Sequence, residues 1–240
     1  MEMKTVALIP MKSTSKRVPH KNVKKLAGHP LIAYTICAAI DSKCFEKVVV
    51  STDSPAYEGI AEGYGAKVIM RPKAYARPMS PDIEWVFHAM RLLWDDGIQP
   101  FAFSILRPTS PFRLVSTIRR AVNQFELTKP DSIRAVERVM QHPGKMWYVR
   151  DEKLIPLLMS PEDKPWHSQQ TQSLPPVWVQ NASLEVANTR MMFETKTIAG
   201  TDIRPFYTYG NEGFDINVAW DFIRAEYLIK HRGAVLPDVL

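Results

Sequence analysis

The sequence predicts an α/β fold: a Rossmann-like three-layer αβα sandwich with a mainly parallel sheet, carrying one excursion suited to dimerisation. Three observations lead there. At 240 residues with 45% hydrophobic composition the chain can bury a sizeable core. Short β-branched runs alternate with helix-period stretches up to residue 136, the mark of βαβ units whose crossover helices cover both faces of a parallel sheet. After His142 that rhythm breaks, then returns near the end.

In order, residues 5–9 read as a strand, 31–41 as a helix, 47–51 as a strand, 56–64 as a helix and 67–70 as a strand. A helix over 82–94, a strand over 101–106, a helix over 114–127 and a strand over 132–136 complete the alternating half. Residues 143–180 are rich in Pro, Gln and Trp, with one hairpin expected from 146–149 and 154–157 around "RDEK". A structureless stretch of that length is uncommon inside a compact domain, so it is expected to pack on a second subunit. The domain reading is therefore one domain over 1–240, with 143–180 as a dimerisation insertion. A strand in "NASLEVANT", a helix in "RMMFET" and a closing amphipathic helix over 218–231 follow.

Net charge is +6, and its position matters more than its size. Residues 1–30 hold Lys4, Lys12, Lys16, Arg17, Lys21, Lys24 and Lys25 against Glu2 alone, while the other 24 basic and 24 acidic residues cancel. One concentrated positive segment suits a compact polyanion better than a long duplex backbone. A nucleic-acid module would need a basic helix or an aromatic-basic sheet face, and none is visible. No run approaches the ~18 apolar residues of a membrane span. The opening apolar run is too short for a secretory signal and enters a basic loop. Cys37 and Cys44 are the only cysteines, too few for a disulfide framework or thiol metal site, so they read as reduced and the setting as cytoplasmic. The six histidines form no pair with zinc-ligand spacing, and His142, before a proline, reads as structural. The tryptophans that cluster in the excursion read as core or interface packing.

In an open parallel sheet, ligands sit beyond the carboxyl ends of the strands. Strand 5–9 delivers the loop "PMKSTSKRVPHKN" to that edge. Small residues Ser13, Thr14 and Ser15 let main-chain N–H groups turn toward an anion, and Lys12, Lys16, Arg17 and Lys21 supply countercharge. A triphosphate fits such a loop. Neither the P-loop nor the dinucleotide-binding glycine pattern is present, and a solvated basic loop has the same composition.

The stretch "ALIPMKSTSKRVPHKNVKKLAGHPLIAYTI" resembles the signature of the CMP-sialic acid synthetase-like (acylneuraminate cytidylyltransferase) family, which activates sialic acid and related keto-sugar acids. "VVVSTDS", "VIMRP", "LRPTSPFR", "DSIRAVERVMQHPGK", "QSLPPVWVQNASLEV" and "GFDINVAWD" follow in the family's order and carry the resemblance across nearly the whole chain. It implies a CTP-dependent nucleotidyltransferase that joins CTP and a sugar acid into a CMP-sugar with release of pyrophosphate. Mg²⁺ or another divalent cation is the implied cofactor and a homodimer the implied assembly.

By resemblance, Lys12, Ser15, Lys16 and Lys21 hold phosphates, with the neighbouring amides of Ser13 and Thr14, and Asn22 and Arg71 contact the nucleotide. Lys12, Lys16, Lys21 and Asp215 are the implied catalytic set. Arg107, Thr109, Ser110, Lys145 and Gln172 fall to the acceptor, and Asp215 and Asn217 to the metal. Each also has a plain reading: Asn22 as a turn residue, Arg71 as an ion-pair partner, Lys145 as solvated, Asp215 as a cap of the last helix. Several positions depart from the family's pattern. Lys12 replaces an arginine and loses its bidentate fork, and Ser13 and Thr14 replace glycines. Asp82 stands where a small hydroxyl residue is common, which alters the nucleotide site. Arg107 replaces a glutamine; it either binds a carboxylate or phosphate on the acceptor or pairs internally. Asn217 replaces a metal carboxylate. Thr171 replaces an arginine that meets the acceptor carboxylate, which argues against ordinary sialic acid. The expected substrate is therefore another nonulosonic acid. The alternatives are a same-fold nucleotidyltransferase with another acceptor or nucleotide, and a nucleotide-binding relative without turnover.

Overall fold

The computed structural model describes residues 4–161 and 164–239. The chain forms two compact units, one running to Ala135 and resuming at Asn181, the other Val136–Gln180.

In the first unit β1 (Thr5–Met11) runs two residues beyond the predicted strand. Its side chains alternate between two cores: Ala7, Ile9 and Met11 join one, Val6 and Leu8 the other. That two-sided burial is why the run is apolar throughout. A small ribbon that the sequence reading did not anticipate follows, β2 (Lys25–Leu26) and β3 (His29–Pro30). Ala27 and Gly28 both have positive φ, 46° and 97°, the two-residue turn whose twist matches paired strands. Helix α1 (Leu31–Ser42) is buried on nearly every face. Next come β4 (Lys47–Thr52), α2 (Pro55–Gly63) with proline at its first position, and β5 (Lys67–Met70). After them lie α3 (Asp82–Asp95), β6 (Ala102–Leu106) and α4 (Val115–Thr128), and β7 (Ser132–Arg138) begins in this unit and ends in the second. The strand β6 starts at Ala102, one residue after the predicted start, with Phe101 45% exposed just before it.

The second unit holds β8 (Trp147–Arg150) and β9 (Lys153–Pro156), an antiparallel pair within one residue of the expected hairpin. Asp151 and Glu152 make its two-residue turn with φ of 48° and 60°. His142 Nδ1 accepts the Gly144 N–H at 3.0 Å, so Nε2 carries the proton it donates to the Pro175 carbonyl at 2.9 Å. His142 is a structural residue, as expected.

The chain returns along β10 (Trp178–Asn188) into α5 (Thr189–Thr195), then β11 (Ile203–Tyr207) and α6 (Ala219–Arg232). β11 was not predicted: it is short and contains Pro205, which only an edge strand tolerates. The seven-stranded sheet has the order β11-β7-β10-β6-β1-β4-β5. β6, β1, β4 and β5 are parallel, and β10 pairs antiparallel with β6. Helices α1, α2 and α4 pack on one face, and α3 and α5 on the other. Strand order reverses between β1 and β6, so the ligand crevice of such a sheet lies beyond the carboxyl ends of those two strands.

Candidate active site

A cleft of about 630 Å³ opens at that point. Lys12, Thr14, Ser15, Lys16, Lys21 and Asn22 line it from the loop after β1, Arg71 and Asp82 from the ends of β5 and α3, Arg107 and Thr109 from the end of β6. Asp215 and Asn217 close the ring from the loop before α6. Lys16 and Asp215, 199 positions apart in the chain, thus face one space. Arg17 and Arg77 line it too, giving seven basic side chains against Asp82 and Asp215, a strongly anion-attracting cavity.

The loop after β1 is fixed by burial and hydrogen bonds. Val18 inserts into a cluster with Leu26, Leu31, Tyr34, Phe112, Ile216 and Phe222. Ser13 gives both its N–H and its hydroxyl to the Asp53 carboxylate, each at 2.7 Å. This corrects the expected anion contact at Ser13, whose donors serve the end of β4 instead. His20, at φ 53°, meets the Tyr57 hydroxyl at 2.7 Å and turns the chain into the short 3₁₀ segment Lys21–Val23.

The two ends of the chain are joined across the cleft. Lys21 Nζ donates to the Ile216 carbonyl at 2.8 Å and Arg17 Nη2 to Asn217 Oδ1 at 2.8 Å. Burial pushes the Lys21 ammonium below its ordinary pKa; Asp215 opposes this, Arg17 and Lys12 reinforce it, and Asp221 opposes it. The Ile216 N–H donates to the Thr109 carbonyl at 2.8 Å, docking the Asp215 loop on the turn after β6. Asp215 is not the helix cap: the first-turn residue Asp221 accepts the N–H groups of Asn217 and Val218 at 2.7 and 2.8 Å.

On the opposite wall, Arg71 is 5% exposed. Its Nε donates to Ser51 Oγ at 3.0 Å and Nη2 to the Ser51 carbonyl at 2.6 Å, with the guanidinium 5.0 Å from the Trp85 ring. Burial lowers its pKa to about 10 against the pull of Asp53 and Asp82, and it stays a cation at neutral pH. Asp82 accepts from Trp85 Nε1 at 2.8 Å and Arg107 Nη2 at 2.6 Å. Burial raises the Asp82 carboxyl, but Arg107, Trp85 and Arg71 outweigh it and hold the carboxyl below its ordinary range. The same Arg107 nitrogen reaches Glu185 Oε1 at 2.8 Å, and Glu185 pairs with Arg134 on β7. Of the two readings of Arg107 the structure shows the internal pair, a charge-balanced network bordering the cleft.

Ser110 corrects another expectation. It is 1% exposed behind the turn, so its hydroxyl is not presented to the cleft as an acceptor contact. Lys145 and Gln172 stand in 3₁₀ segments of the second unit. Sequence reasoning overlooked Asp53, Glu185, Arg77 and Arg113. Asp53, Arg113 and Glu185 lay inside quoted motifs, but only contacts between elements give them a role.

For a divalent cation the donors fit in part. Among the described residues, Asp215 Oδ1 is buried without a hydrogen-bond partner, and Mg²⁺ is often held by one or two carboxylates plus phosphate oxygens and water. Asn217 departs from the expected ligand role. Its Nδ2 donates to Asp215 Oδ2 at 2.5 Å and its oxygen accepts from Arg17, so it orients Asp215. Among the described residues, no cluster of three or more His, Cys, Asp or Glu offers another metal site.

A family model described as cytidylyltransferase matches residues 6–90. CMP-N,N'-diacetyllegionaminic acid synthase of Legionella pneumophila is 32% identical over 239 residues, covering 95% of this chain and 97% of that protein. N-acylneuraminate cytidylyltransferase of Escherichia coli is 41% identical over 139 residues, 58% of this chain, which spans 32% of that longer protein. Among solved structures, a CMP:2-keto-3-deoxy-manno-octonic acid synthetase complexed with CTP superposes with a TM-score of 0.71 at 13% identity, covering 95% of this chain and 99% of that one. The last likeness speaks for the fold alone. Nearly end-to-end similarity at 32% identity, together with the matched family model, shows that the chain belongs to the cytidylyltransferase family of the CMP-sialic acid synthetase type.

Proposed function

We propose that the protein transfers CMP from CTP to a keto-sugar acid of the nonulosonic class other than ordinary sialic acid, releasing pyrophosphate. The observation that carries this reading is the meeting of Lys16 and Asp215 in one cleft with six further cations. The full-length likeness to a legionaminic acid synthase supports the acceptor class. The sugar's anomeric hydroxyl attacks the α-phosphorus, an oxygen–phosphorus bond forms, and the bond to the pyrophosphate oxygen breaks. Lys12, Lys16, Arg17 and Lys21 hold the triphosphate in line and offset the charge that develops on the leaving group. Asn22, Arg71 and Asp82 border the nucleoside. Thr109 lies on the floor between nucleotide and acceptor, and Lys145 and Gln172 are assigned to the acceptor. Asp215, oriented by Asn217, would hold Mg²⁺, which when bound supplies further neutralisation of phosphate charge. We further assign a homodimer clasped through 143–180 and a cytoplasmic setting. Cys37 and Cys44 form no disulfide with each other, and among the described residues no helix is long and apolar enough to cross a membrane.

The test is pyrophosphate release with CTP, Mg²⁺ and a panel holding N-acetylneuraminate, N,N'-diacetyllegionaminate and 2-keto-3-deoxy-manno-octonate. Release is expected with a nonulosonic acid and abolished in Lys16→Ala and Asp215→Ala. Silence across the panel, despite a CTP-dependent rise in Tm, would favour a nucleotide-binding relative without turnover.

A further inference from the structure

We propose that Arg113 is the positioning residue of this cleft, clamping the turn after β6 from behind and, through it, fixing the place of Asp215. Arg113 is 1% exposed. Its Nη1 donates to the Arg107 carbonyl at 3.2 Å and to the Ser183 carbonyl, and its Nη2 to Thr35 Oγ1 at 2.8 Å. One guanidinium thus ties the end of β6 to β10 and α1. The turn it closes presents Arg107, Pro108 and Thr109 to the cleft, and the Thr109 carbonyl holds the N–H of Ile216, the neighbour of Asp215. The connection therefore runs from Arg113 through the turn to Ile216 and Asp215.

The charge makes the placement telling. Burial lowers the Arg113 pKa to about 9, and among the described residues no carboxylate pairs with it. Among the described residues, its Nε and the buried hydroxyls of Ser110 and Ser183 have no hydrogen-bond partner. An unbalanced buried cation is costly, and an apolar side chain of similar volume would fill the space without that cost. Only arginine offers a rigid planar fork able to hold three acceptors on three elements. It also sets a positive charge behind a floor on which a polyanion is to rest.

The activity arm of the test rests on the function proposed above; the structural arm does not. In Arg113→Lys, which keeps the charge and loses the fork, kcat is expected to fall by about 10²-fold. The Kd for CTP without metal should change by less than about threefold, because Asp53 also anchors the loop after β1, through Ser13. Amide hydrogen exchange of the ligand-free protein should quicken by about tenfold at Ile216 while the β1 and β4 amides keep their protection. A residue that merely stabilises the fold would quicken exchange throughout and leave kcat per folded molecule unchanged; that result overturns the proposal. So does wild-type exchange at Ile216 with wild-type kcat. If Arg113→Lys does not fold, Thr35→Val removes one arm of the clamp from α1, and unchanged Ile216 exchange there counts against the proposal. A wild-type protein inactive on every acceptor would sink the functional reading, leaving exchange to decide on Arg113.

Discussion

Asp53 holds Ser13 with both carboxylate oxygens and so fixes where the phosphate loop leaves the sheet. Partial burial raises its carboxyl, but the hydroxyl and N–H of Ser13 and the charge of Arg71 outweigh it and leave the carboxyl below its ordinary 3.8. A group with a depressed folded pKa adds stability above its unfolded pKa, and the contribution disappears as pH falls through the folded value. Asp53→Asn should therefore lower Tm by a near-constant amount from pH 5 to 8, with the difference from wild type closing as pH falls below about 4. A difference that persists at low pH would count against the carboxylate's charge as the cause. Asp53 was printed in "VVVSTDS" all along, but nothing local in that string says which loop it meets.

At the scale of elements, the site is built from chain ends rather than from helix or strand interiors. β1 and β6 supply two rims, and the loop before α6 supplies the third through Ile216, which is fully buried. Asp221 holds the entry to α6 by accepting two backbone N–H groups. Asp221→Ala should cost about 1 kcal/mol, a typical loss for such a contact, seen as a fall of roughly 2–4 °C in Tm. An unchanged Tm would show that packing of Phe222 and Ala225 alone holds the helix. The elements of the alternating half were legible because burial on two faces demands continuous apolar runs. β11, short and containing Pro205, carried too weak a pattern, and the β2–β3 ribbon depends on Ala27 adopting a positive φ that alanine seldom takes.

At the scale of the molecule, positive charge gathers at one end of the sheet, and nucleotide affinity should weaken with salt as screening takes hold. The second unit leaves Tyr148, Val149, Leu154 and Ile155 exposed on its hairpin, between 42% and 72%, which supports the proposed clasp with a second copy. Light scattering at micromolar concentration is expected to give twice the chain's 27.4 kDa; a strictly monomeric mass would defeat that assembly.

By itself the sequence determined the layered α/β class, the basic loop after the first strand and, through motifs in order, the family. Those properties are written in neighbouring residues: burial on two faces sets an apolar run, and a cluster of lysines is visible as a string. Only the tertiary structure decided that Ser13 turns inward to Asp53, that Arg107 pairs with Asp82 and Glu185, and that Asn217 orients Asp215. Each of those outcomes is a choice among hydrogen-bond partners, and the partners stand up to 78 positions apart in the chain. Which donor meets which acceptor depends on where the strands end in space, and that is fixed only when the whole sheet has closed around its core.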